Sequence, residues 1–156
     1  MTRKAPTRTI VTLLAWCAIA LAPTLAQAQP AKQMVSVKGS ILNMRAGPGT
    51  QNTILWELQK GYPLQVTQRK NRWLKVKDFE GDTGWVAASL TGRQPHHIVK
   101  VNNANVRSGP GTKHRIVGKA TYGELMRTRE NRGSWVRVER TEGKSGWISK
   151  KLLWGW

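Results

Sequence analysis

Sixty-two positions separate two copies of one message: the chain reads NMRAGPGT at 43–50 and NVRSGPGT at 105–112. Laid on itself at that offset, 37–90 matches 99–152 without a gap, and 17 of the 54 pairs are identical where ordinary composition supplies about three. A duplication on this scale argues against one large core. Each unit is about 60 residues long, near the lower bound for burying a self-sufficient interior, so two small domains in tandem are expected.

Within each unit the apolar period is two. Leu42 and Met44 alternate with Asn43 and Arg45, Leu64 and Val66 with Gln65 and Thr67, and Leu74 and Val76 with Trp73 and Lys75. Val136 and Val138 alternate with Trp135 and Arg137 in the second copy. Such alternation is the signature of half-buried strands. Turn residues punctuate the runs at Gly47-Pro48-Gly49, Gly61 and Glu80-Gly81, and again at Gly109-Pro110-Gly111, Gly123 and Glu142-Gly143. The spacing predicts an all-β protein of small antiparallel barrels or sandwiches. A single 3₁₀ turn is expected over Ala87-Ala88-Ser89-Leu90. In Gly47-Pro48-Gly49-Thr50, Pro48 at the second place and Gly49 at the third predict a type II turn. A nucleotide-binding loop fits poorly, because the GxxxxGK[ST] spacing is missing and no helical pattern follows.

Residues 1–28 read as a secretory leader. They have a basic start at Arg3, Lys4 and Arg8, an apolar run from Ile10 to Leu25, and Ala26-Gln27-Ala28 as a small-x-small site, so cleavage after Ala28 is expected. The apolar run is shorter than the roughly 20 residues a spanning helix needs. The one cysteine, Cys17, lies inside this leader. Beyond it the expected mature chain has no thiol for nucleophilic catalysis, a disulfide or a metal. It holds 23 basic and 8 acidic residues, a formal charge of +15. That excess favours anionic polymers as partners.

Little in the chain invites catalysis. A G-x-S-x-G nucleophile elbow is absent, and the histidines are His96, His97 and His114. Neighbours on an extended chain point oppositely, so His96 and His97 do not converge on one ion. Asp78, Glu80 and Asp82 form an acidic cluster, but Arg140 and Lys144 occupy the matching places of the second copy. No metal site and no cofactor are expected, and Glu80 and Glu142 lie on equivalent turns of separate units rather than facing each other as a glycosidase pair.

The opening N-x-R-x-G-P-G-T, the central Gly61 or Gly123, the W-x-K/R-V strand (Trp73 to Val76, Trp135 to Val138) and the closing G-W-V/I (Gly84 to Val86, Gly146 to Ile148) resemble the bacterial SH3 domain family. The resemblance implies two tandem SH3-like barrels of five or six strands, over 34–91 and 97–156, joined by a short linker at 92–96. It also implies an exported protein without chemistry of its own. Domains of this family often accompany cell-wall hydrolases and help them recognise peptidoglycan. No hydrolase signature accompanies the two units here, and a stand-alone binding or scaffolding protein is expected.

Strand alternation turns Trp73 and Lys75 outward, as it does Trp135 and Arg137. An exposed indole beside a cation stacks on sugars or peptides and pairs with carboxylates. The tryptophan resembles the one lining the peptide groove of eukaryotic SH3 domains. Arg45 and Arg107 also face away from the core, beside the repeated turn, where they either bond its carbonyls or contact anions. Arg69, Lys70, Arg72 and Lys77 surround Trp73, and Arg127, Arg129, Arg132 and Arg140 surround Trp135. The expected ligand-binding residues are therefore Arg45, Trp73, Lys75, Arg107, Trp135 and Arg137. Their expected partner is peptidoglycan or its peptide stems, in the periplasm or outside the cell. The alternatives are a peptide of an envelope protein and charge-driven polyanion binding; nucleic acid enters only nonspecifically, with a steep loss in salt. The apolar end Leu152-Leu153-Trp154-Gly155-Trp156 either tucks onto a barrel or docks a partner.

Overall fold

The computed structural model describes residues 32–140 and 143–156, and the expected leader lies outside them. The first repeat contributes β1 (Met34–Val37), β2 (Ile41–Arg45), β3 (Ile54–Gln59), β4 (Pro63–Lys70), β5 (Trp73–Lys77), β6 (Thr83–Ala87) and β7 (Thr91–Gly92). The second contributes β8 (His96–Val99), β9 (Ala104–Arg107), β10 (Ile116–Ala120), β11 (Leu125–Arg132), β12 (Trp135–Glu139), β13 (Ser145–Ser149) and β14 (Leu153–Gly155). Each repeat forms one antiparallel sheet, in the orders β3-β2-β6-β5-β4-β1-β7 and β10-β9-β13-β12-β11-β8-β14. The two orders are the same under the offset of 62.

All of β1 to β6 send side chains into one buried cluster, among them Val35, Leu42, Leu58, Leu64, Leu74 and Val86. For both ends of the strand order to reach one interior, the sheet must roll into a barrel. The second repeat rolls around Val99, Val106, Met126, Val136, Val138 and Ile148. Closure depends on glycine where β6 crosses β2. A Cβ on Gly84 would stand 2.5 Å from Met44 and 3.0 Å from the Arg45 carbonyl oxygen. The equivalent Gly146 faces Val106 and the Arg107 carbonyl oxygen.

Seven strands per repeat exceed the five or six that the resemblance implies. The surplus is the returning segment: after the 3₁₀ turns Ala88–Leu90 and Lys150–Leu152, β7 pairs with β1 and β14 with β8. Among the described residues no helix is long and apolar enough to cross a membrane.

The repeated turn is not the expected type II. Gly49 has φ 157°, nearly extended, and Gly111 is not among the positive-φ glycines. The first glycine of each turn packs closely instead. A Cβ on Gly47 would lie 2.7 Å from the Asn52 amide, and one on Gly109 would lie 2.6 Å from the His114 ring. Left-handed backbone appears at Gly61 (φ 84°) and Gly123 (φ 77°), which turn β3 into β4 and β10 into β11.

Only residues 93–95 separate β7 from β8, and they are tied at both sides. The Gln94 carbonyl accepts from Ser36 Oγ at 2.8 Å, and the Pro95 carbonyl accepts from the Thr128 amide at 3.0 Å. Tyr122 of the second repeat donates its hydroxyl to Glu80 Oε1 of the first at 2.7 Å, and its ring lies 5.4 Å from that of Phe79. The apolar C-terminus tucks in: Leu153 is buried, and the Trp154 ring lies 4.4 Å from the Lys32 ammonium.

Candidate functional site

A groove opens on each barrel at the same place. On the first it is lined by Asn43 and Arg45 of β2, Thr50 of the repeated turn, Trp73 of β5, Ala87 of β6 and Leu90 of the 3₁₀ turn, with Ile41 and Leu42 beside them, and encloses about 190 Å³. On the second it is lined by Asn105, Arg107, Thr112, Trp135, Ser149 and Leu152, with Asn103, Ser134 and Lys151, and encloses about 560 Å³. Seven lining positions correspond under the offset of 62, from Ile41 and Asn103 to Leu90 and Leu152.

Local pairing explains why the indole is available. Trp73 stands opposite Ala87 in the β5–β6 ladder, and Trp135 opposite Ser149 in the β12–β13 ladder. A small cross-strand partner on that side does little to cover the ring, while Lys70 and Arg132 stand opposite on the other ladder, and both tryptophans are half-buried. The half-covered indole gives each groove an apolar wall, while Asn and Thr supply hydrogen-bonding edges.

Arg45 and Arg107 do what the structural reading of them expects. Arg45 Nη1 donates to the Asn52 carbonyl at 2.7 Å, and Arg107 Nη1 donates to the carbonyls of Thr112 and His114, both at 2.8 Å. Each guanidinium thus braces the turn that carries the groove's threonine while lining the groove itself. Lys75 and Arg137 do not line either groove. They share an outward face with Trp73 and Trp135, but stand two pairs further along, opposite Trp85 and Trp147. The structure therefore brings Arg45 to Trp73 and Arg107 to Trp135, and leaves Lys75 and Arg137 on the flank. Asn43, Thr50, Leu90 and their counterparts line the grooves without being among the expected site residues; their identity between the copies is a signal that reads equally as a fold requirement. Ala87 and Ser149 differ and gave none.

The basic clusters differ between repeats. In the second, Arg129 pairs with Glu139 at 2.5 Å, Arg132 with Glu130 at 2.8 Å and Arg140 with Glu124 at 2.5 Å. Arg132 also lies 5.3 Å over the Trp147 ring. The ion pairs among the described residues include none of Arg69, Lys70, Arg72, Lys75 or Lys77, so the first repeat carries the less compensated positive face.

Several other titratable groups are occupied structurally. Asp78 Oδ1 accepts the amides of Glu80, Gly81 and Asp82 at 3.0, 2.8 and 2.8 Å, capping the β5–β6 hairpin. Burial holds its carboxyl above the usual range, and those three amides offset part of the effect. The oxygens of Asp78, Glu80 and Asp82 lie within 4.8 Å of one another, yet Glu80 is engaged by Tyr122. Tyr62 also reaches Asp78, at 3.5 Å, and burial followed by the charges of Asp78 and Glu80 raises its pKa well above the ordinary value. The equivalent places in the second repeat hold Glu124 and Arg140, so a neutral donor on a carboxylate is replaced there by an ion pair. His96 and His97 point apart. His96 Nδ1 meets the Gln94 carbonyl at 3.0 Å, whereas His97 is buried against Thr128 and Trp156.

Comparison with known proteins agrees with this doubled architecture. Two family models, each described as the bacterial SH3 domain, match residues 38–92 and 102–153. Among curated proteins the chain is 23% identical over 145 residues to Putative N-acetylmuramoyl-L-alanine amidase YrvJ of Bacillus subtilis (strain 168). That alignment covers 86% of this chain and 28% of the relative, so the chain spans less than a third of that protein's length. Among solved structures, NlpC2 from Trichomonas vaginalis matches at TM-score 0.38 and 14% identity, over 81% of this chain and 49% of that one. An NlpC/P60 family protein from Bacillus cereus matches at TM-score 0.38 and 14% identity, over 80% and 56%.

Proposed function

The chain belongs to the bacterial SH3 domain family, with two such domains in tandem, and from that premise we propose that it is a non-catalytic binding protein of the cell envelope. Its two grooves recognise peptidoglycan or its peptide stems. The carrying observation is the repetition of one groove at seven corresponding positions, with an indole wall, a braced arginine and amide and hydroxyl edges in both barrels. Side chains with catalytic potential support the non-catalytic part of the proposal, since Asp78 and His97 are committed to holding the fold. The muramoyl-peptide linkage in the name of the Bacillus subtilis relative supports the choice of polymer. The expected leader and the positive charge of +18 for the whole chain fit a site outside the cytoplasm among anionic wall polymers.

Within this proposal Trp73 and Trp135 stack on the ligand, Arg45 and Arg107 hold the turn and offer their remaining donors to carboxylates, and Lys75 and Arg137 act from the flank. Cosedimentation with purified sacculi at low and high salt tests it. The protein is expected to stay bound in high salt, and Trp73→Ala with Trp135→Ala to weaken retention tenfold or more. Retention that vanishes in salt and ignores both substitutions would replace the proposal with charge-driven binding through the basic face of the first repeat. Failure to bind sacculi at all would leave a peptide of an envelope protein as the ligand.

A further inference from the structure

A third cleft, of about 760 Å³, lies where the two barrels meet, and neither repeat contains it alone. Lys60 lines it from the first barrel, Gln94 and His96 from the connection, and Glu124, Arg127, Glu139 and Arg140 from the second. Its charges do not balance. Glu124 is matched by Arg140 and Glu139 by Arg129, each at 2.5 Å, so both acids are neutralised by their own partners. Lys60 and Arg127, one from each barrel, belong to none of the ion pairs among the described residues, although Arg127 stands across the β11–β12 ladder from Glu139. Both cations lie near enough to His96 to add to the effect of burial, which already holds its imidazole below the ordinary pKa.

Arg127 is held in place without losing its charge. With its amide oxygen turned toward the guanidinium, Gln94 accepts from Arg127 Nη2 at 2.7 Å and from Nε at 3.1 Å. A neutral acceptor fixes the geometry of the guanidinium, with Nη1 outside that pair of bonds, and the carboxylate across the ladder from it, Glu139, is itself paired with Arg129. His96 Nδ1 donates to the Gln94 backbone carbonyl, so its Nε2 edge is turned the other way, toward Gly61.

We propose that this cleft between the barrels binds an oxyanion, the carboxylate or phosphate group of a larger ligand, clasped between Lys60 of one repeat and Arg127 of the other. The site is independent of the two barrel grooves. It exists because the second repeat carries Arg127 where the first has Gln65, and because the short connection brings His96 and Gln94 to the seam. An anion there bridges the barrels and adds an electrostatic tie to the Tyr122 contact.

The test is titration of the 15N-labelled protein with inorganic phosphate in one arm and glutarate in the other, followed by backbone amide shifts. Saturable shifts centred on Lys60, Gly61, His96 and Arg127 are expected with at least one probe, and the stronger arm identifies the source of the oxyanion. Lys60→Gln and Arg127→Gln should each weaken that binding about tenfold or more, since each removes a charged hydrogen-bond donor. Lys119→Gln, an equal loss of charge on β10, should leave it within about twofold. Both cleft residues are exposed, so the variants keep the fold, and the native spectrum away from the cleft checks this. Absence of saturation with either probe, or equal weakening by Lys119→Gln, overturns the site.

Discussion

His97 shows how much one side chain can bind this fold to pH. It is 2% exposed, and its two ring nitrogens have different partners. The backbone oxygen of Trp156, 2.6 Å from Nε2, only accepts, so Nε2 carries the proton; Nδ1 then accepts from the Thr128 hydroxyl at 2.7 Å. Protonating Nδ1 would reverse the second bond, turning the Thr128 hydroxyl from donor to acceptor, and place a charge in the interior. Burial is the main reason its pKa falls from 6.5 to about 4; the bond to Trp156 opposes the fall, and Lys150 adds to it. The unfolded chain takes up this proton near pH 6.5 and the folded chain resists until about 4. Stability from the neutral ring is therefore complete above pH 6.5 and is lost as the pH falls toward 4, by about 3 kcal/mol in all. His96, also lowered by burial, acts with the same sign, whereas the raised carboxyl of Asp78 acts with the opposite sign at more acid pH. Melting temperatures of the wild type should drop steeply between pH 7 and 4.5. His97→Gln should melt lower at pH 7.5 but with a flatter slope below it; an unchanged slope would remove His97 from the account.

Strands in which every second residue is apolar announce themselves, and β2, β5 and β12 were legible for that reason. β3 was not, because Ile54, Leu55 and Trp56 are adjacent and all exposed. A bulge opposite Met44 and Arg45 takes Leu55 out of register, and the same bulge recurs at Val117 on β10. Both strands are sheet edges, and a bulge there interrupts the flat hydrogen-bonding rim on which another chain could pair. The alternation over Leu64 to Thr67 likewise ends at a bulge between Val66 and Gln68, repeated between Thr128 and Glu130. The repeated glycines were visible, but their purposes were not, since sequence alone does not separate a demand for positive φ from a demand for space. Gly84 and Gly146 are the second kind. Gly84→Ala and Gly146→Ala should each destabilise the protein by about 1–3 kcal/mol through overpacking at the β6–β2 and β13–β9 crossings. Urea denaturation measures this directly, and a cost near zero in both would mean that the crossing yields without strain.

Comparing a repeat with itself reveals what the copies share and is blind to what joins them. Phe79 and Tyr122 correspond to Thr141 and Lys60, so nothing in the shared pattern marks them, yet they and Glu80 form the seam. The same blindness hid an inequality between the cores. Leu42 and Leu58 of the first barrel are replaced in the second by Ala104 and Ala120, both fully buried. Each exchange removes three carbons' worth of burial, roughly 2 kcal/mol at the usual value per methylene. Leu153, folded in from β14, and the larger Ile148 in place of Val86 return part of that loss. The second barrel should therefore open at lower free energy than the first, with the seam limiting the difference. Hydrogen exchange read by mass spectrometry should show peptides spanning β12 and β13 exchanging faster than those spanning β5 and β6. Tyr122→Ala, which cuts the bond to Glu80 and the contact with Phe79, should widen that gap mainly by speeding exchange in the second barrel. Equal protection in both barrels, before and after the substitution, would mean that they unfold as one cooperative body and that the seam is stronger than its few contacts imply.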